Sequence, residues 1–208
     1  MNFFGHAVVA SWSDSGAGHL LGSMLPDFEA MVGVSLSLVR DPDIQRGIEL
    51  HHRTDDAFHR APAFLASCAE ALEALMGSGV RRGTARAVGH IGTELFLDGW
   101  LAREQRHVDD YLHALDLETN ALLEWSDRGA AFSRLRARLS VWGAPLDYSE
   151  PAFVLARLRD ALRARPSLAL LEEQSEQVSD YLPSLQRLVE RRAPELLQGL
   201  RDALGCWD

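Results

Sequence analysis

The sequence predicts an all-α protein, a single-domain helical bundle occupying residues 1–208. Three observations carry that prediction. Apolar residues recur at helical spacing along most of the chain. No series of alternating apolar and polar runs joined by hairpin turns stands out. At 208 residues and 47% hydrophobic composition, the chain has enough apolar material for one substantial core.

Taken in order, residues 1–40 read as two or three short helices, broken near Ser13–Gly18 and again at Pro26. Asp41-Pro42 marks a helix start, with proline in the first turn. A long helix follows, which Pro62 kinks or restarts and Gly77-Ser78-Gly79 ends. A second strong helix spans Thr84 to Arg103, and residues 112–125 (LHALDLETNALLEW) and Arg134–Arg138 also read as helical. Gly143–Ser149, with Pro145, is a loop. Beyond Pro151 two more helices carry Val154/Leu158/Leu162 and Leu182/Leu185/Leu188/Val189. The chemistry-bearing motifs fall in residues 1–103, and the helices of 104–208 complete the bundle.

Composition removes several function classes. A net charge of -9 argues against an electrostatic grip on nucleic acid or on an anionic membrane. All 21 basic residues are arginine, which rules out a Schiff-base lysine or a phosphate-loop lysine. Cys68 and Cys206 are too few for a disulfide framework and lack metal-finger spacing. The opening MNFFGHAVVA has no basic flank of the secretory kind, and no apolar run approaches the roughly 20 residues that span a bilayer. A cytoplasmic protein without membrane partners is the expectation.

Two helices carry polar side chains where their apolar stripes ought to continue. Residues 47–59 read GIELHHRTDDAFH. At about 100° per residue, Ile44, Ile48, Asp55 and His59 share a narrow arc that His51 and His52 flank. In the second helix Ala87, His90, Glu94, Leu97 and Leu101 share an arc, with Asp98 at its edge. His51, Asp55 and His59 are spaced by four, as are His90, Glu94 and Asp98. Side chains at that spacing have β-carbons about 5–6 Å apart. Facing helices that each offer histidine and carboxylate are one way in which bundles hold metal ions. A cation offsets the several kcal/mol that burying such groups alone would cost.

Four stretches, MNFFGH at the start, GSMLPDF at 22–28, GIELHHRTD at 47–55 and HIGTELFL at 90–97, resemble in order the motifs of the acyl-carrier-protein phosphodiesterase family. That family is a divergent branch of the His-Asp (HD) phosphohydrolases, so the resemblance implies an HD-like bundle. By position, His6, Asp27, His51 and Asp55 stand where the family has polar site residues. His90 and Glu94 take the places of its two later aspartates, His59 that of another aspartate, and Leu95 that of a histidine. Asp27 in LPDFEAM also reads as a helix N-cap, which would be a sufficient structural reason for it.

The resemblance implies a metal-dependent phosphodiesterase or phosphohydrolase. His51, Asp55, His90, Glu94 and Asp27 are then the metal ligands. His6 or His59 completes the shell or acts as acid toward the leaving group, and Arg53 clamps phosphate. Mixed nitrogen and oxygen donors suit one or two divalent ions, manganese or iron first, zinc or magnesium next. The implied substrate is the phosphodiester joining 4′-phosphopantetheine to a carrier-protein serine, or a small-molecule phosphoester. An acidic carrier protein would need a basic patch, for which Arg81/Arg82/Arg86 and Arg134/Arg136/Arg138 are candidates. Two other classes stay open: a non-haem di-iron oxygenase, and a non-catalytic helical binding domain with a degenerate site.

Overall fold

A computed structural model of the chain describes residues 1–127 and 129–206. The protein is all-α, with nine α-helices among these residues: α1 (Phe3–Ala10), α2 (Ala17–Val32), α3 (Pro42–Arg60), α4 (Pro62–Gly77), α5 (Arg82–Leu101), α6 (Gln105–Leu115), α7 (Ala130–Trp142), α8 (Pro151–Arg163) and α9 (Glu172–Leu204). Two short strands, β1 (Leu36–Val39) and β2 (Leu123–Trp125), pair antiparallel, with Leu36 opposite Trp125 and Val39 opposite Leu123. No helix is long and apolar enough to cross a membrane among the described residues.

The helices pack as two compact units, each built from separate stretches of chain. The first takes Met1–Ala57, Leu101–Pro145 and Ala203–Asp208, and the second Phe58–Trp100 and Leu146–Asp202. Residues 42–57 of α3 thus belong to the first unit and 58–60 to the second.

In the first unit an aromatic cluster holds α1, α2 and α6. Phe3 meets Phe28 at 5.6 Å between ring centroids, and Phe4 meets Tyr111 edge-on at 5.3 Å. Trp125 stacks on Phe132 of α7 at 4.6 Å, which brings the strand pair into the same cluster. α2 and α3 meet backbone to backbone. A Cβ on Gly22 would lie 2.1 Å from the Ile44 carbonyl oxygen, and one on Gly47 would lie 2.2 Å from that of His19. In the second unit, Gly89 of α5 sits so close to α4 that a Cβ would lie 2.9 Å from the Ala71 methyl. The buried apolar faces of α8 (Val154, Leu158, Leu162) and α9 (Val178, Leu182, Leu185) contribute to this unit's core.

Several element boundaries follow the sequence signals closely. Asp41 Oδ1 accepts the Asp43 and Ile44 amides at 2.8 and 3.0 Å, so Asp41 caps α3 and Pro42 occupies the first turn. Pro62 restarts the chain as α4 after Ala61, and Gly77 closes that helix.

Three expectations are corrected. Pro26 does not break its helix. It lies inside α2, where it removes one amide from the ladder but burial of Leu20, Leu21, Met24, Leu25 and Phe28 holds the helix together. The stretch 112–125 is not one helix: α6 ends at Leu115 and the chain turns into β2. Within the expected loop, Leu146–Ser149 forms a 3-10 turn that buries Tyr148.

The α2–α3 contact gives a direct test. Gly47→Ala is expected to destabilise the protein by more than about 2 kcal/mol, because backbone must shift to admit the methyl group. Gly199→Ala, in α9 with no atom within 4 Å of its added Cβ, is expected to stabilise by about 0.5–1 kcal/mol. Thermal or denaturant unfolding of both variants measures the contrast; equal effects would sink the account.

Candidate metal centres

Two groups of three ligand-type side chains come together among the described residues, one in each unit. In the first unit they are His6, Asp27 and His51, from α1, α2 and α3, with ligand atoms within 4.8 Å of one another. In the second they are His59, at the end of α3, with His90 and Glu94 from α5, within the same span.

The first group is the more deeply buried. His6 and His51 are 1% and 7% exposed, and their rings stack at 3.8 Å between centroids. His51 Nδ1 lies 2.8 Å from the Ser23 carbonyl oxygen. A carbonyl only accepts, so Nδ1 carries the proton and donates, and Nε2 keeps its lone pair. This is the backing that orients metal-bound imidazoles. The Ser23 contact follows from the glycine approach of α2 to α3, which sets Ser23, next to Gly22, against the third helix.

His6 is polar at both ring nitrogens, and neither makes a hydrogen bond inside its buried site. Asp55 Oδ1 stands 3.7 Å from His6 Nε2, too long for a hydrogen bond, and accepts the Met1 amino group at 2.8 Å. Burial pushes the His6 imidazole down to about 3, against the opposing pull of Asp55. Burial also lowers His51, with the Ser23 contact and Asp55 acting the other way. Both rings are therefore neutral at ordinary pH, the form that ligates metals. Orphaned ring nitrogens beside a carboxylate, in a nitrogen–oxygen donor set, fit a divalent ion.

In the second group both imidazoles turn Nε2 toward one carboxylate oxygen. His59 Nε2 is 3.2 Å and His90 Nε2 3.3 Å from Glu94 Oε1. The two rings lie nearly parallel at 5.0 Å, and each meets the face or edge of Phe64 at close to a right angle. Burial would raise the Glu94 carboxyl, but the hydrogen bonds from His59 and His90 outweigh it and hold the group well below the usual carboxylate range.

The candidate residues are thus sorted by tertiary structure. His51 and Asp27 join His6; His90 and Glu94 join His59; Asp55 borders the first group and holds the Met1 amine. Asp27 lies inside α2 and caps no helix, which corrects the N-cap reading. Arg53 is exposed and donates to the Leu204 carbonyl at 3.3 Å, at the end of α9. Asp98 is fully buried, in the electrostatic neighbourhood of Tyr148. Sequence reasoning did not single out the Ser23 carbonyl or Phe64. A small-residue pair before Pro26 is the only trace of the former, and an aromatic two residues after a helix-restarting proline the only trace of the latter.

Of the proposed docking arginines, Arg81 donates to the Ala169 carbonyl, and Arg136 donates to the Leu117 carbonyl and the Thr119 hydroxyl. Compared with protein-family models, with curated proteins and with solved structures, the chain matches none. The likeness of its four motifs to the acyl-carrier-protein phosphodiesterases therefore bears on function only as a proposal.

The histidines set a pH dependence with a definite sign. Unfolded histidine takes up its proton near pH 6.5 and folded His6 only near 3, so the unfolded chain binds more protons between these values and stability falls as pH is lowered. His51 and His19 act in the same direction. With divalent ions chelated, His6 alone is expected to cost about 2 kcal/mol between pH 7 and 5, at roughly 1.4 kcal/mol per unit below its unfolded value. Denaturant unfolding of the wild type and His6→Asn at both pH values checks this; identical slopes would show that folded His6 protonates freely.

Proposed function

We propose that the protein is a metal-dependent phosphoric ester hydrolase, with its metal held by His51, Asp27 and His6. The observation that carries this reading is the Nδ1 contact of His51 with the Ser23 carbonyl, which leaves Nε2 as a lone-pair donor among buried groups of the same kind. The ordered likeness of the four motifs to acyl-carrier-protein phosphodiesterases supports the choice of phosphoesters over other substrates.

A divalent ion supplies neutralisation of charge on the phosphoryl oxygens and lowers the pKa of attacking water. The side chains do the rest. Asp27 contributes the anionic donor that balances the ion's charge. Asp55, anchored by the Met1 amine, places its carboxylate 3.7 Å from His6 Nε2 and adds negative charge beside the site. A ring that stays neutral down to about pH 3 is a poor proton donor to a leaving group, so His6 serves here as ligand and not as acid. Arg53, engaged with the end of α9, is left out of the phosphate site. Within this reading the substrate is either a small phosphoester or the 4′-phosphopantetheine linkage of a carrier protein, and the metal is manganese, iron, zinc or magnesium.

The purified protein is expected to retain a divalent metal, measured by elemental mass spectrometry, and to hydrolyse an aryl phosphodiester or release phosphopantetheine from holo-carrier protein. His51→Ala is expected to lose that metal and at least about 100-fold in kcat while keeping its helical circular dichroism. Metal without phosphoester turnover, but with dioxygen consumption by an iron-loaded protein, would transfer the site to oxidation. No metal after incubation with each ion would leave a helical binding domain.

A further inference from the structure

We propose that His59, His90 and Glu94 form a second divalent-metal site, built for zinc or a comparable borderline ion, with a coordination position left open to solvent. It goes beyond the hydrolase reading and stands on different residues, all within the second unit.

Distance is the first argument. Donors bound about 2.0–2.1 Å from a tetrahedral ion stand roughly 3.3–3.4 Å apart. Glu94 Oε1 is 3.2 Å from His59 Nε2 and 3.3 Å from His90 Nε2, so two edges of such a tetrahedron are already set. Little side-chain movement is needed to place an ion among the three.

Orientation is the second. The stacked His59 and His90 rings both stand against Phe64 at near right angles, and Phe58 in turn packs on Phe64 at 4.4 Å. Phe58 and Phe64 are 0% and 2% exposed, so the imidazoles rest on a fixed apolar wall. Gly89, one residue before His90, lets α5 approach α4 and so determines how close His90 comes to that wall.

Donor type and exposure decide the ion and its use. Two imidazole nitrogens and one carboxylate suit a borderline transition ion over magnesium, which prefers an oxygen octahedron. Three protein ligands, two on α5 a turn apart and one from α3, leave a fourth position. The His90 and His59 side chains are 44% and 32% exposed, so that position faces water. Closed structural zinc sites use four protein ligands, whereas three with an open place exchange a bound water for an exogenous ligand.

The test uses the full-length protein stripped by chelator, then dialysed against zinc chloride, with bound zinc counted by elemental mass spectrometry. Cobalt(II) added in zinc's place gives a visible spectrum that reports the site's geometry without reference to activity. Wild type is expected to lose one zinc equivalent in Glu94→Gln and in His59→Ala, with affinity down by more than the roughly 10–100-fold that a supporting residue contributes. His51→Ala is expected to keep this equivalent and its cobalt spectrum, whether or not the first group binds metal. Should Glu94→Gln fail to fold by circular dichroism, His90→Ala, at the most exposed ligand, takes its place. Zinc content and cobalt spectrum unchanged in folded His59→Ala and Glu94→Gln would overturn the proposal, reducing the three residues to a hydrogen-bonded cluster. Loss of all zinc from folded His51→Ala would overturn it too.

Discussion

The backbone contact between α2 and α3 is what the first unit's chemistry depends on. Gly22 faces the carbonyl of Ile44, and Gly47 faces that of His19, at separations no side chain can occupy. Without Cβ atoms at these two positions the helices come close enough for the Ser23 carbonyl to receive the His51 Nδ1–H. That one hydrogen bond fixes a tautomer, and the tautomer decides which nitrogen is available to a ligand. The stacking of His6 on His51 and the nearby Asp27 carboxylate then define a buried set of donors.

The two histidine–carboxylate groups use the same donor types in different surroundings. His6 and His51 are buried, and desolvation keeps them neutral. His59 and His90 are partly exposed and meet a carboxylate that they hold ionised. The first arrangement is a closed environment in which unmatched nitrogens cost free energy until they are ligated. The second already pairs both imidazole Nε2 atoms with Glu94 Oε1, and an ion entering it would replace those contacts.

Much of the fold was legible because local signals and burial agreed. Asp41-Pro42 and Pro62 begin helices where cap and proline chemistry say they should, and the apolar stripes of α8 and α9 are the buried ones. Where burial overruled a local signal, the reading failed. Pro26 sits inside α2 because the residues around it are among the most buried in the chain. The short β1–β2 pair was invisible because three or four residues give no periodicity, and its pairing joins segments more than 80 residues apart.

For the site, the sequence by itself determined which residue types stand in a column on each helix: His51, Asp55 and His59 on α3, His90 and Glu94 on α5. It also determined the donor chemistry and, by having no lysine, what the chain cannot do. Tertiary structure decided which of these meet. Positions 51 and 59 are separated by two turns, about 12 Å of rise, more than one ion's ligands span. A shared column is therefore not a shared site. His51 finds its partners on α1 and α2 and His59 finds its own on α5, while Asp55, between them, takes the Met1 amine. Helical spacing aligns side chains along one element, but convergence on a point requires neighbours that only packing supplies.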